Sequence, residues 1–164
     1  MKKALYPGSF DPITYGHMDV IEQSLNIYDK VVVAIMVNSK KKGGLFSLEE
    51  RKELICKIYK DNPKVEVIVV SKKKAAVDIA IENSCSTMVR GLRDLTDFAY
   101  EKQLAELNLV ISEGKVNTVA FFANPKNTTI SSTAVKELFE LGKNIEGFVH
   151  PVVKAAIESK FCEE

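Results

Sequence analysis

Short apolar runs alternate with amphipathic segments along the whole chain. The runs contain three to seven residues and have little polar alternation, which is typical of parallel strands that are covered on both faces. They predict five strands, at residues 3–6, 31–37, 65–70, 87–89 and 118–123.

Between the runs, apolar residues recur every three or four positions and predict helices. Ser47 and Glu50 form a capping-box signature for the second helix. The longest helix is predicted over residues 95–112, with Leu104, Leu107 and Ile111 on one stripe. Other helices are predicted from Gly16 or His17, at 75–83, from 131 or 132 to before 142, and at 151–161.

Strands that alternate with helices predict a parallel sheet with right-handed crossovers. We therefore expect one α/β domain over residues 1–164: a doubly wound, Rossmann-like five-stranded parallel sheet with helices on both faces. Ligands of such sheets bind beyond the carboxyl ends of the strands. Glycines, hydroxyl residues and cations cluster after the predicted strands, at residues 8–17, 40–42, 72–74, 90–93 and 127–133.

The most informative stretch is YPGSFDPITYGHMD, residues 6–19. Gly8 and Gly16 allow sharp turns and a close approach of the backbone to an anion, and free N–H groups at a helix start favour negative charge. Ser9 and His17 would then flank one phosphate. The alternative is that His17 is only a structural cap residue.

A second anion site is predicted at Ser131, Ser132 and Thr133, because three hydroxyl residues exceed what an N-cap requires. Arg90 and Arg93 are either surface residues or phosphate ligands, and the guanidinium fork suits phosphate. Lysines 72–74 are interpreted as a solvated loop, whereas one lysine of 40–42 would reach a phosphate. Asn108 would hydrogen-bond either a substrate amide or a neighbouring backbone group.

Composition narrows the class of protein. The 164 residues have a net charge of +1, so no overall attraction to nucleic acid or to a membrane is expected. Cys56, Cys85 and Cys162 are odd in number and widely spaced, which fits neither a disulfide framework nor a paired metal motif. The N-terminal residues lead directly into a predicted strand and have no signal-peptide pattern. We therefore expect a cytoplasmic protein.

No pattern for a nucleophile elbow, a Walker A loop or a His/Cys metal cluster is present in the sequence. Two anion sites ringed by cations suit transfer between two phosphates, where catalysis is mostly positioning and charge stabilisation.

Three motifs, in this order and spacing, resemble those of a known family: YPGSFDPITYGH, RGLR followed by DFAYE, and ISSTAVKE. They are similar to those of the bacterial phosphopantetheine adenylyltransferases, in the nucleotidyltransferase superfamily with the (H/T)-x-G-H signature. The resemblance covers nearly the whole chain. It implies that ATP and 4′-phosphopantetheine react to dephospho-coenzyme A and pyrophosphate, with Mg²⁺ bound mainly through the ATP phosphates and without a covalent intermediate.

The resemblance also implies roles for residues. His17 would be catalytic, stabilising the transition state at the ATP phosphates. Residues expected to bind 4′-phosphopantetheine are Ser9, Lys41, Ala76, Arg90 and Asn108. Residues expected to bind ATP are Ser9, Phe10, His17, Gly91, Leu92, Arg93, Glu101, Asn127, Thr128, Thr129, Ile130, Ser131, Ser132 and Thr133.

The sequence is compatible with some alternatives. The loop at 40–44 is one residue longer than is usual in the family, so Lys42 could replace Lys41. Another phosphate acceptor, such as nicotinamide mononucleotide or glycerol phosphate, or a nucleotide sensor without turnover, would fit the same fold. The resemblance further implies a homohexamer and feedback inhibition by coenzyme A.

Overall fold

The computed structural model describes residues 1–37 and 44–162. Its centre is a five-stranded parallel sheet with the order β3-β2-β1-β4-β5. The predicted fold class is confirmed. Strand order reverses between β1 and β4, which creates the crevice at their carboxyl ends where such sheets bind ligands. The strands are β1 Lys3–Gly8, β2 Lys30–Met36, β3 Val65–Val70, β4 Thr87–Leu92 and β5 Asn117–Phe122.

In the described part of the chain, six helices connect and cover the strands, and a short 3₁₀ turn, Pro125–Asn127, follows β5. The capping box predicted at Ser47 is present, because Ser47 Oγ accepts from the Glu50 N–H and the Glu50 carboxylate accepts from the Ser47 N–H. The helices are α1 Tyr15–Leu25, α2 Leu48–Ile58, α3 Ala76–Glu82, α4 Leu95–Ile111, α5 Ser132–Glu140 and α6 Pro151–Cys162.

The two faces of the sheet have separate cores because successive side chains of a strand point to opposite sides. On one face Tyr6 and Val33 pack among α1, α2, α5 and α6. On the other face Leu5, Val32 and Met88 pack against α3. Nearly all of these strand residues are inaccessible to water, which fixes the positions of the loops at the carboxyl edge.

Three boundaries differ from the prediction, and each difference affects the crevice. β1 extends to Gly8, and β4 extends to Leu92, so Arg90 and Gly91 lie on the strand and not in the loop after it. The ladder between β4 and β5 continues to Leu92, so Arg90 and Gly91 are held within the sheet. α1 begins at Tyr15, with Thr14 as its N-cap, which places His17 in the first turn.

Helix α4 differs from the others because none of its residues is buried. The predicted stripe is divided: Leu104 is half-buried, whereas Leu107 and Ile111 are each 53% exposed. Leu95 and Val110 are 85% and 75% exposed. Within residues 1–37 and 44–162, no helix is long and apolar enough to span a bilayer.

Candidate active site

Three cavities meet at Ser9, beyond the carboxyl ends of β1 and β4. The histidine cavity, about 300 Å³, lies between β1, β4 and the starts of α1 and α5. The α4 cavity, about 400 Å³, lies between the sheet, α3 and α4. The Arg51 cavity, about 510 Å³, lies between the loop after β1, α2 and α5. Ser9 therefore stands at the junction of all three.

The histidine cavity collects most of the residues predicted to bind ATP. They come from the loop after β1, from α1, from the end of β4 and the residue after it, from α4, and from the segment that leads into α5. These segments are distant in sequence and converge at one edge of the sheet. On its wall are Ser9, His17, Gly91, Arg93, Glu101, Asn127, Ile130, Ser131, Ser132 and Thr133.

His17 is fixed in orientation by the residue that caps its helix. The backbone N–H of Thr14 donates to His17 Nδ1 at 3.0 Å, and Thr14 Oγ1 accepts from the His17 N–H at 3.4 Å. Since a backbone N–H only donates, Nδ1 is an acceptor and the imidazole proton of the neutral ring is on Nε2. The ring therefore has an N–H donor left for the cavity.

The surroundings of His17 keep the ring neutral. Burial, followed by the positive charges of Arg93 and Arg90, lowers the His17 pKa from 6.5 to about 4. Phe10 and Tyr6 pack beside it, with the Phe10 ring centroid 5.0 Å from that of the imidazole. Phe10 adopts φ 46°, a left-handed conformation that is uncommon for an aromatic residue and turns its side chain into the core.

The start of α5 supplies hydroxyl groups on the opposite side of the histidine cavity. Ser131 is the N-cap, and its Oγ accepts from the Ala134 N–H at 3.1 Å. Ser132 Oγ donates to the Pro12 carbonyl at 2.8 Å, which ties α5 to the loop after β1. The predicted N-cap is confirmed, and anion binding by the same hydroxyl residues stays a prediction.

Arg90 forms the boundary between the histidine cavity and the α4 cavity. Its Nε and Nη2 donate to the two carboxylate oxygens of Glu101 at 2.7 and 2.6 Å, and Nη1 donates to the Pro7 carbonyl at 2.9 Å. Burial opposes the charge of Arg90, but the Glu101 hydrogen bonds outweigh it and raise the Arg90 pKa. Both side chains line both cavities.

Arg93 lies at the outer side of the histidine cavity and pairs with Asp97, four residues later. Arg93 Nε donates to Asp97 Oδ2 at 2.8 Å, and these hydrogen bonds raise the Arg93 pKa and lower that of Asp97. Gly91, between the two arginines, packs against α1: a Cβ there would lie 2.8 Å from Val20 Cγ2. A side chain at this position would require Val20 or the backbone at Gly91 to shift.

The α4 cavity brings together the residues predicted to bind the second substrate. Ser9, Ala76, Arg90 and Asn108 all lie on its wall. Asn108 is on the half-buried face of α4 that also presents Glu101, Leu104 and Ala105. The remaining wall is largely apolar, with Met36, Val37 and Met88.

Several predicted residues lie elsewhere. The side chain of Phe10 is buried against Tyr6 and His17, so only its backbone is available to a nucleotide. Leu92, Thr128 and Thr129 are not on the wall that the described residues form, and Thr128 Oγ1 donates to the Pro125 carbonyl. Their roles stay predictions. Lys41 and the alternative Lys42 lie outside the described residues.

Sequence reasoning missed three features. Thr14 orients His17, and its position three residues before the histidine, as an N-cap, was a usable signal. Asp97 pairs with Arg93 at i,i+4 spacing, which was also readable. Asp11 and Arg51, a buried pair 3.4 Å apart, come from different elements and left no local signal.

The residues around the histidine cavity suit a metal ion that is held by the phosphates of a ligand, because the carboxylates of Glu101 and Asp97 are already paired. Glu101 and Asp97 are both occupied by arginines. Across residues 1–37 and 44–162, no group of three or more His, Cys, Asp or Glu side chains is placed to hold an ion. A Mg²⁺ that enters with ATP phosphate oxygens fits this wall of hydroxyl groups and cations.

Comparisons with known proteins agree with this geometry. Residues 5–138 match the family model described as cytidylyltransferase-like. A solved structure from Vibrio parahaemolyticus, with a provisional assignment as nicotinate-nucleotide adenylyltransferase, superposes with a TM-score of 0.66. It covers 96% of this chain and 99% of its own, and its 23% identity supports the fold alone. The class of protein is thus a nucleotidyltransferase.

Curated relatives define the family more narrowly. The phosphopantetheine adenylyltransferases of Geotalea daltonii and Hahella chejuensis are both 42% identical to this chain. The alignments cover at least 98% of this chain and 98% of each relative. That of Lactobacillus gasseri is 41% identical over 98% of this chain and 95% of its own. The chain belongs to the phosphopantetheine adenylyltransferase family, and is therefore an enzyme of coenzyme A biosynthesis.

Proposed function

We propose that this enzyme transfers the adenylyl group of ATP to 4′-phosphopantetheine by direct in-line attack, giving dephospho-coenzyme A and pyrophosphate. The observation that supports it best is the pair of cavities that share Ser9, Arg90 and Glu101. One has two helix starts suited to phosphates, and the other has an apolar wall suited to the pantetheine arm.

In this mechanism the α-phosphate of ATP lies beside Ser9 and His17. A phosphate oxygen of 4′-phosphopantetheine forms a bond to the α-phosphorus while the bond from that phosphorus to the α,β-bridging oxygen breaks. The electron pair of the broken bond leaves with pyrophosphate. The neutral His17 donates its Nε2 proton in a hydrogen bond to the oxygens on which charge increases, without transferring it.

Arg90 and Asn108 recognise different parts of 4′-phosphopantetheine in the α4 cavity. Arg90 binds the phosphate with the N–H groups that Glu101 and Pro7 leave unused. Asn108 pairs with an amide of the pantetheine arm, and Ala76 lines the channel beside it. Either Lys41 or Lys42 adds a positive charge at the transferring phosphates.

Mg²⁺ is proposed to accompany ATP, held mainly by phosphate oxygens. When bound, it neutralises charge on the leaving phosphates. Residues of the chain would bind the same phosphates around it: the hydroxyl of Ser131, the backbone N–H of Ser132 in the first turn of α5 and the guanidinium of Arg93. Activity that vanishes with a chelator and returns with Mg²⁺ is the expected result.

A homohexamer is proposed, with α4 in the contacts between subunits. The stoichiometry is proposed from the family resemblance, and the place of the contacts from the exposed apolar side chains of α4. Phe122 of β5 is also 81% exposed. Light scattering at several concentrations should give a mass six times that of the 18.3 kDa chain. Feedback inhibition by coenzyme A and a cytoplasmic location are proposed from the family resemblance.

Other acceptors and a sensor without turnover are not favoured. The curated relatives are all named phosphopantetheine adenylyltransferases, and they align with essentially the whole chain. The test is pyrophosphate release from ATP and Mg²⁺, with and without 4′-phosphopantetheine, with the product identified by mass. Release that requires 4′-phosphopantetheine and yields dephospho-coenzyme A is expected. Release with nicotinamide mononucleotide or glycerol phosphate instead, or tight ATP binding without any release, would refute the proposal.

A further inference from the structure

Arg51 is a charged residue that the reaction described above does not use. It lies on α2, on the wall of the Arg51 cavity, and only 9% of its surface is exposed. A guanidinium group carries five N–H donors and a permanent charge, so it is buried at little cost only when it is paired and hydrogen-bonded. The partners of Arg51 therefore show what its burial achieves.

The Arg51 guanidinium joins the loop after β1 to the segment before α2. Nη1 donates to the Ser9 carbonyl at 3.1 Å, and Nε donates to the Phe46 carbonyl at 2.8 Å. Nε also lies 3.4 Å from a carboxylate oxygen of Asp11, which is itself buried. One side chain thus fixes main-chain atoms of two loops that are far apart in sequence.

Asp11 strengthens the same cross-link between the two loops. Its carboxylate accepts from the backbone N–H groups of Leu45 and Phe46, both at 2.9 Å. Gly44 packs against the guanidinium, because a Cβ at that position would overlap Arg51 Nη2. The guanidinium is therefore held by charge, by hydrogen bonds and by packing, and it has little freedom to move.

Ser9 is the residue whose position depends on this cross-link. It follows Gly8, the last residue of β1, and precedes Phe10, whose φ of 46° is uncommon for a residue with a side chain. Ser9 thus lies beyond the regular ladder of the sheet, and the hydrogen bond from Arg51 holds its carbonyl. Ser9 also lines all three cavities, and under the proposed function it lies between the two substrates.

We propose that Arg51 is a positioning residue for adenylyl transfer: through the Ser9 carbonyl, its guanidinium holds the Ser9 hydroxyl beside the α-phosphorus of ATP. The inference rests on the proposed function. Rates of such reactions fall steeply when a contacting group is displaced by about 1 Å, so a shift of the Ser9 backbone should reduce turnover more than substrate binding. Asp11 supports Arg51 by balancing its charge and by holding the segment before α2.

Arg51→Lys tests this role, because lysine keeps the charge beside Asp11 but not the fork that reaches two carbonyls at once. Turnover in dephospho-coenzyme A formation should fall roughly 10- to 100-fold, whereas the Kd for ATP should change less than about threefold. In a Ser9→Ala background the same substitution should cost less than about twofold, because the group that it positions is gone. Urea unfolding measures the stability of each variant separately.

Gly44→Ala is a second variant, which removes no charge and decides the question if Arg51→Lys does not fold. The added Cβ should displace the Arg51 guanidinium, and turnover should fall roughly three- to tenfold, again only while Ser9 is present. Lys160→Met is the matched control, since Lys160 lines the same cavity and its hydrogen bonds to Glu50 tie α6 to α2. It should lower stability but leave turnover within about twofold of wild type.

Losses of the same size in the Ser9→Ala background would overturn the proposal, because they would show that Arg51 does not act through Ser9. An equal loss of turnover in Lys160→Met would overturn it too, since a general loosening of α2 would then explain the effect. Unchanged turnover in both Arg51→Lys and Gly44→Ala would have the same meaning. Absence of dephospho-coenzyme A formation by wild type would instead refute the proposed function.

Discussion

The histidine cavity and the α4 cavity meet at Ser9 but are lined by different types of residue. The first is formed by glycines, hydroxyl residues and the backbone at the starts of α1 and α5. The second is formed mainly by apolar side chains from the sheet, α3 and α4, with Asn108 as an uncharged polar group. Under the proposed function, the difference suits two unlike substrates: fixed donors suit phosphates, and an apolar channel suits a long flexible arm.

The largest expected effect is at His17. His17→Ala should reduce turnover by roughly 10³-fold while the Kd for ATP changes only a few-fold, because the histidine contact strengthens in the transition state. Single-turnover kinetics and calorimetry measure the two quantities. Thr14→Val, which keeps the backbone N–H that orients the ring, should lose only about tenfold. Near-normal turnover in His17→Ala would refute the catalytic assignment.

Arg90 should be the residue whose loss affects both cavities. Arg90→Met should raise the KM for 4′-phosphopantetheine roughly 10- to 100-fold, because a charged phosphate ligand is lost. It should also weaken ATP binding, because Glu101 is left unpaired. Arg93→Met is the matched control, since Arg93 lines only the histidine cavity of the two, and should affect ATP alone.

If Arg90→Met and Arg93→Met gave the same pattern, the division of the site into two cavities would be wrong. Glu101→Gln in the Arg90→Met background separates the two causes, because it removes the unpaired charge. The ATP affinity should then partly recover, while the acceptor KM stays high.

Asn108 tests the α4 cavity alone, with a smaller effect. Asn108→Leu should raise the KM for 4′-phosphopantetheine about threefold to tenfold, the worth of one neutral hydrogen bond, and leave the KM for ATP unchanged. Gln103→Leu, on an exposed position of the same helix, should change neither. An unchanged acceptor KM in Asn108→Leu would favour a purely structural role for the asparagine.

The smallest effect concerns the charge of His17. Since its pKa is lowered to about 4, the ring stays neutral and turnover should show no inflection near pH 6.5. Between about 4 and 6.5 the unfolded chain binds a proton at this residue and the folded chain does not, so folding stability rises with pH there. Urea unfolding at pH 5 and pH 7 should show a larger difference for wild type than for His17→Gln. An equal difference would contradict the neutral ring.

The histidine cavity could be anticipated because its parts are local motifs. A helix start is predicted from a few consecutive residues in both places: from the turn with glycines before His17, and from the hydroxyl residues before α5. The order of alternating strands and helices then places these starts at one edge of the sheet. Most residues predicted to bind ATP therefore lie around one cavity, whereas Leu92, Thr128 and Thr129 are not on its described wall.

The Arg51 cavity could not be anticipated, since it depends on contacts between distant elements. Asp11 meets Arg51 of α2 and Lys136 of α5 only after the chain has folded. The exposed apolar surface of α4 was equally hidden, because periodicity gives the spacing of Leu107 and Ile111 but not which side faces water.

The most direct test of the central claim is the stereochemical course at the α-phosphorus. In the proposed mechanism, one in-line displacement passes the adenylyl group from the histidine cavity to an acceptor in the α4 cavity. ATP made chiral at the α-phosphorus with sulfur should therefore give dephospho-coenzyme A with inverted configuration. Retention would require two displacements through an enzyme-bound adenylyl intermediate, and would contradict the account.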